Sequence, residues 1–181
     1  MGTEIEAKLK VDSLQTVAEK LAQLGAEFLQ EQLQTDYYFD DANAALIETD
    51  RCLRLRQQFT DDQEKLLLTY KGAKEKDNFK KRKELEIEVK DLDSTGKLLS
   101  ALGYGQTLVV EKKRRIWQLG SCRVCLDELP LLGSFVEIEG PEGQKIADAQ
   151  RSLGLADSTH ITESYASLMA ERKREHKSTR A

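Results

Sequence analysis

Glu4-Ile5-Glu6-Ala7-Lys8-Leu9-Lys10-Val11 alternates charge and aliphatic bulk at every step. In extended chain, successive side chains face opposite sides, so Glu4, Glu6, Lys8 and Lys10 share one face and Ile5, Ala7, Leu9 and Val11 the other. The segment reads as a strand whose aliphatic face needs a cover and whose charged face sets two carboxylates beside two ammonium groups. A cover follows at once. Asp12 or Ser13 caps a helix in which Leu14, Val17, Ala18, Leu21 and Leu24 form one stripe, stopped by Gly25.

Working outward, the tripeptide Glu-Ile-Glu returns at Glu86-Ile87-Glu88 and Glu137-Ile138-Glu139, each time followed by a helix-like stretch closing on Leu-Gly, at Leu102-Gly103 and Leu153-Gly154. Strand, helix and return strand is the expected unit. Chance recurrence in a Glu-rich chain is the competing explanation. Period-2 stretches also cover residues 33–39, 51–59, 65–71, 82–89, 108–119, 123–128 and 134–139, with 51–59 and 65–71 joined by the polar turn Thr60-Asp61-Asp62-Gln63 as a hairpin. Helices are expected near 94–102, over 144–153 and from 162 to about 177, with a basic end, 172–181, that frays. A lysine-rich loop spans 71–81 and is a candidate lid.

The 181 residues suit one domain with one core, without disulfide or metal staples. Charged residues make up 33% and hydrophobic ones 39%, too charged for a membrane protein and too apolar for a disordered one. The start of the chain has neither a basic nor an apolar leader region, and the expected address is the cytoplasm. A net charge of −4 over 28 basic and 32 acidic residues argues against a nucleic-acid binder, as does the absence of aromatics interleaved with the basic runs apart from Phe79. Three cysteines imply reduced thiols, and Cys122-Arg123-Val124-Cys125, despite its metal-knuckle spacing, lies in a strand that would turn its two sulfurs to opposite sides.

Alternation alone does not separate a solvated sheet from a lined cavity. Two features favour a cavity: striped helices are available to cover the aliphatic faces, and the charged faces are sorted into mainly acidic and mainly basic strands. The expected fold is therefore α+β, a closed or nearly closed eight-stranded antiparallel barrel with helices outside and a polar lumen. Clustered Lys and Arg suit a polyanion such as a triphosphate, and clustered carboxylates suit hard divalent cations that bridge to phosphate oxygens.

Beyond these patterns, Glu4-Ile5-Glu6-Ala7-Lys8 is similar to the Glu-x-Glu-x-Lys hallmark of the CYTH or triphosphate tunnel metalloenzyme family, which includes class IV adenylate cyclases, thiamine triphosphatases and inorganic triphosphatases. Further matches stand in family order at Asp36-Tyr37-Tyr38-Phe39-Asp40, Leu53-Arg54-Leu55-Arg56, Thr69-Tyr70-Lys71-Gly72, Glu111-Lys112-Lys113-Arg114, Leu126-Asp127-Glu128-Leu129 and Phe135-Val136-Glu137-Ile138-Glu139. The resemblance spans nearly the whole chain. It implies a triphosphate held by Lys8, Arg54, Arg56, Lys71, Lys112 and Arg114, and magnesium or manganese held by Glu4, Glu6, Glu137 and Glu139. Lys8, Glu4 and Glu6 would form the catalytic set. Arg82, Glu84, Glu86 and Asp127 look like further lining residues, with structural ion pairing as their alternative role. Tyr38 and Tyr165 read as core aromatics.

Two reactions fit such a site. A triphosphatase directs water at a terminal phosphorus of tripolyphosphate, ATP or another nucleoside triphosphate. A class IV cyclase directs the ribose 3′-hydroxyl of ATP at the α-phosphorus, releasing pyrophosphate. The run 111–117 with Leu126-Asp127-Glu128-Leu129 resembles the cyclase branch, whereas the His-Phe pair that precedes Glu-x-Glu-x-Lys in cyclases of this class is replaced by Gly2-Thr3. Hydrolysis is the favoured expectation and cyclisation the alternative. A noncatalytic polyphosphate binder is a third reading, opposed by retention of both Glu pairs, and a homodimer is compatible with the sequence.

Overall fold

The computed structural model describes residues 2–61, 63–74 and 80–178, the side chains of 2–4, 80–81 and 176–178 excepted. Its elements in chain order are β1 (Gly2–Val11), α1 (Leu14–Gln23), β2 (Glu27–Asp40), α2 (Ala45–Glu48), β3 (Cys52–Thr60), β4 (Gln63–Lys71), β5 (Lys80–Val89), α3 (Leu92–Ala101), β6 (Gly105–Leu119), β7 (Cys122–Leu129), β8 (Gly133–Glu139), α4 (Gly143–Ser152) and α5 (Tyr165–Ser178). The strands form one ring, β1-β5-β4-β3-β2-β6-β7-β8. β1 closes it by pairing antiparallel with β5, Glu4 opposite Arg82, and with β8, Lys8 opposite Glu137. No strand in that ring is left with an unpaired edge.

The alternation in each strand splits its residues between lumen and exterior. Outside β1, β7 and β8, Ala7, Leu9, Val124, Leu126, Val136 and Ile138 meet Leu14, Val17, Ala18 and Leu21 of α1 and Ile146, Ala149 and Leu153 beside them, forming the largest core. α3 covers a second cluster, where Leu99 packs with Phe39 and Leu55. α1, α3 and α4 stop alike. Gly25, Gly103 and Gly154 each have φ between +72° and +91°, and the following N–H returns to Leu21, Leu99 and Gln150 at 2.9–3.0 Å, the Schellman closure that a residue without Cβ permits.

Three expectations need correction, and one short helix is additional to them. The third Glu-Ile-Glu unit has no return strand, because β8 already pairs with β7 and β1 and offers no edge. Its chain instead crosses β1 through a Leu9–His160 bridge and an Ile161 N–H to Lys8 carbonyl bond of 2.8 Å, then enters α5. The aliphatic face of the middle unit is not covered: Leu85 and Ile87 are 49% and 59% exposed, beyond the reach of α3. β2 begins at Glu27 rather than near 33, since a register shift between Phe28 and Gln30 breaks the alternation on which its start depends. α2 is a single turn held by Asp40, which accepts from the Leu46 and Ile47 N–H groups at 2.9 and 3.0 Å, and is too short to show a helical period.

α5 runs through Ser178 and so takes in most of the basic end 172–181, while 179–181 lie outside the described residues. Of the candidate lid loop, 71–81, residues 75–79 lie outside them too. Cys122 packs in the outer core and Cys125 faces the lumen, the opposed orientation that the strand reading required. Among the described residues no helix is long and apolar enough to cross a membrane.

Candidate active site

The ring encloses a cavity of about 710 Å³, within the range of small-molecule sites. Glu6 and Lys8 of β1, Arg54 and Arg56 of β3, Lys71 of β4, and Arg82, Glu84 and Glu86 of β5 line it, together with Lys112 and Arg114 of β6 and Glu137 and Glu139 of β8. Every sequence-assigned residue is thus in the lining save two. Glu4 lies on β1 opposite Arg82, with its side chain outside the described residues. Asp127 has no exposed surface and stands behind the lining, gripping the residues that form it.

Three ion-pair clusters shape the wall. In the first, Arg114 donates through Nε to Asp127 Oδ1 at 2.6 Å and through Nη2 to both Asp127 and Glu137. The Tyr165 hydroxyl donates to Asp127 Oδ2 at 2.8 Å, and the Lys112 ammonium lies 3.6 Å from the same oxygen. Lys8 is 3.4 Å from Glu137, donates to the Glu163 carbonyl at 2.9 Å and sits 3.9 Å over the Tyr165 ring, with Lys112 at 4.8 Å from that ring. Each ammonium is within cation–π distance of the same ring. Burial, with Arg114 adding to it, brings the Lys112 pKa down to about 7. Burial pushes the Tyr165 hydroxyl up, reinforced by Glu137 and Asp127, and keeps it a donor.

The second cluster centres on Asp36, 1% exposed. Arg56 grips it by a fork, Nε to Oδ1 at 2.6 Å and Nη2 to Oδ2 at 2.8 Å, and Arg54 approaches Oδ2 at 3.8 Å. Burial alone would raise the Asp36 pKa, but Arg56 and Arg54 hold it well below the usual carboxylate range. Arg54 also donates to Thr69 Oγ1 at 3.2 Å, which donates to Glu86 at 2.9 Å. In the third cluster Lys71 pairs with Glu84 at 3.1 Å, and Arg82 donates to Asp50 at 2.8 Å.

The sequence assigns no role to Asp36; Tyr165 is the core aromatic it suggests, packed with Val110, Phe135 and Met169, and it also lines the lumen. Asp36 was visible only within a quoted motif, on the same strand face as Tyr38. Tyr165 belongs to an apolar helix stripe, and nothing local announces its bond to Asp127. Gln32 and Gln34, 4% and 3% exposed in the lining, carried no charge to attract notice.

Glu6 lies opposite Glu139 across the β1–β8 ladder, with Glu137 two residues along. Among the described residues no three His, Cys, Asp or Glu groups are gathered tightly enough to ligate one ion. One wall of hard oxygen donors with the remaining positions open nonetheless fits magnesium or manganese, since magnesium commonly keeps several waters and takes one or two carboxylates plus phosphate oxygens. The donor chemistry fits.

A family model described as the CYTH domain matches residues 2–165. A Methanocaldococcus jannaschii protein bearing the provisional name adenylate cyclase is 32% identical over 136 residues, 75% of each chain. The adenylate cyclase CyaB of Aeromonas hydrophila is 26% identical over 175 residues, 91% of this chain and 87% of that one. Among solved structures, a Pyrococcus horikoshii protein aligns with a TM-score of 0.81 at 29% identity, covering 93% of this chain and 99% of its own. A Hippeastrum protein, provisionally named an adenylyl cyclase and described as having a dominant triphosphatase activity, aligns at a TM-score of 0.71 and 18% identity over 93% and 95%, a likeness of fold.

Proposed function

The chain belongs to the CYTH domain family, and from that premise we propose that it is a divalent-metal-dependent triphosphatase acting inside the barrel on inorganic triphosphate or a nucleoside triphosphate. One observation carries the reading: among the described residues eight Lys and Arg side chains and six carboxylates line a single lumen, with Glu6, Glu137 and Glu139 on the adjacent strands β1 and β8. An excess of cations in a low-dielectric cavity recruits a polyanion and counters charge developing at phosphorus.

Glu6, Glu137 and Glu139, with Glu4, would hold magnesium or manganese, which when bound neutralises phosphate charge and lowers the pKa of a coordinated water. Lys8 and Lys112, steered by the Tyr165 ring, would hold phosphate oxygens at the inner end of the lumen. Arg114 and Arg56 are fixed in plane by Asp127 and Asp36, so they meet phosphate with little conformational entropy left to lose. In hydrolysis a water oxygen bonds to the terminal phosphorus, the bridging P–O bond breaks toward the diphosphate, and the water proton passes to a carboxylate or to solvent.

Adenylate cyclase is the second reading, favoured by the names of the two sequence relatives above. Incubation with tripolyphosphate and, separately, ATP, in magnesium or manganese, decides between them. Orthophosphate release supports the triphosphatase, cyclic AMP with pyrophosphate the cyclase, and no product from either substrate overturns both. Glu4→Gln with Glu6→Gln is expected to abolish turnover; a rate equal to that of the unaltered protein would remove these residues from the site.

A further inference from the structure

We propose that two copies of this chain associate through β5, the segment Leu85–Val89 of one running antiparallel to the same segment of the other about a two-fold axis at Ile87. Three observations meet there. First, β5 outruns the strand beside it. Its ladder with β1 ends where Gly2 stands opposite Glu84, while its ladder with β4 continues to Val89, opposite Leu66. Leu85 to Val89 therefore project past the β1 seam, and among the described residues no strand pairs with them on that side. A projecting strand flank of this kind is a template for a strand from another chain.

Second, the outer face of this projection is aliphatic and uncovered. Leu85 and Ile87 are 49% and 59% exposed, and α3 covers only the end of the strand, where its Leu92 joins Val89 in one cluster. α3 itself leaves Leu98 and Leu102 exposed by 60% and 65%, one turn apart. So much aliphatic surface on one strand and the helix that follows it goes beyond the singly scattered apolar residues that need no partner.

Third, the segment reads as its own complement. Lys83-Glu84-Leu85-Glu86-Ile87-Glu88-Val89-Lys90-Asp91, reversed against itself about Ile87, sets Leu85 against Val89 and Ile87 against Ile87. At its ends Lys83 and Glu84 of one copy meet Asp91 and Lys90 of the other. Every such contact is repeated across the axis, as an isologous interface requires, and aliphatic pairs and opposite charges across an antiparallel ladder are each favourable. The chain bends at Lys90, directly after the strand, which lets it turn clear of Gly2 on the second copy. One like pair remains, Glu86 against Glu88. Both are exposed to water and screening salt, and Glu86 accepts from Thr69 at 2.9 Å and lies 3.9 Å from Arg54. A strand of unrelated sequence would meet the same two glutamates without the compensating charges at the ends, which favours a second copy over other occupants.

Sedimentation equilibrium of the full chain is expected to give twice the mass of one chain at about 10–100 µM. Ile87→Lys sets two ammonium groups on the axis at an exposed position and is expected to return the single-chain mass with an unchanged circular-dichroism spectrum. Lys83→Asp, placed against Asp91, is expected to raise the dimer dissociation constant about tenfold. Ile87→Cys gives a readout that does not rely on weakening the contact. Residues facing each other across an antiparallel ladder lie about 4.5–5.5 Å apart at Cα, within disulfide reach, so mild oxidation is expected to join two copies. The unaltered chain and Ile47→Cys, at a position 57% exposed on α2, are expected to stay unjoined. A single-chain mass for the unaltered protein across that range overturns the proposal. So does a dimer that survives Ile87→Lys, or one that Ile87→Cys fails to cross-link, since either puts the contact on another surface.

Discussion

Lys112 is fully enclosed by Asp127, Arg114, Glu137, Arg56 and the Tyr165 ring, and its proton is loosely held, with a pKa down to about 7 from 10.5. Between these two values the unfolded chain carries a proton here that the folded chain has released. Stability contributed by this site is therefore lowest below pH 7 and rises as pH increases toward 10.5. A polyanion beside the ammonium reverses the balance, so binding tripolyphosphate near pH 8 takes up as much as about one proton. Calorimetry in buffers of differing ionisation enthalpy measures that uptake, and Lys112→Met is expected to remove it. Asp36→Asn leaves Arg56 buried without its counter-charge and Arg54 with only Glu86, and is expected to destabilise by about 3–5 kcal/mol in denaturant unfolding. Residues of this kind were the least legible in the sequence. Arg54 and Arg56 stood out by alternating with Leu53 and Leu55, but Asp36 is one acid among tyrosines, and its importance lies in what reaches it from β3.

At the scale of elements, most strands were legible because a closed ring imposes the same two-residue rhythm on each. Where the rhythm slips, as at Leu29 in β2, it carried no signal, and where a helix is one turn long, as in α2, there was no period to find. The missing third return strand could not be read locally, since the edge it would have needed is taken by β1, more than 120 residues upstream. α5 takes a different course, lending Tyr165 to the lumen. Tyr165→Phe keeps the ring beneath Lys8 and Lys112 but deletes the hydroxyl bond to buried Asp127, and it is expected to cost about 1–2 kcal/mol by thermal or denaturant unfolding. Gly25→Ala forces a Cβ into the left-handed conformation that ends α1 and is expected to cost about 1 kcal/mol in the same assay.

On the scale of the whole molecule, a cavity that concentrates both signs of charge links stability to occupancy. Tripolyphosphate with magnesium at about one hundred times its dissociation constant is expected to add about 2.7 kcal/mol. In a chain of this size that raises the melting temperature by about 5–10 °C, measurable by differential scanning calorimetry. No shift with either metal would separate the lumen from triphosphate altogether. The ring also closes in a particular way: the first strand lies between the fifth and the eighth, and Glu6 meets Glu139 only across that final seam. A ribosome releasing this chain delivers β1 early and its second partner near the end. Until β8 emerges, Lys8 and Arg114 lack Glu137, so the wall they form with it can assemble only once the chain has been translated through residue 139.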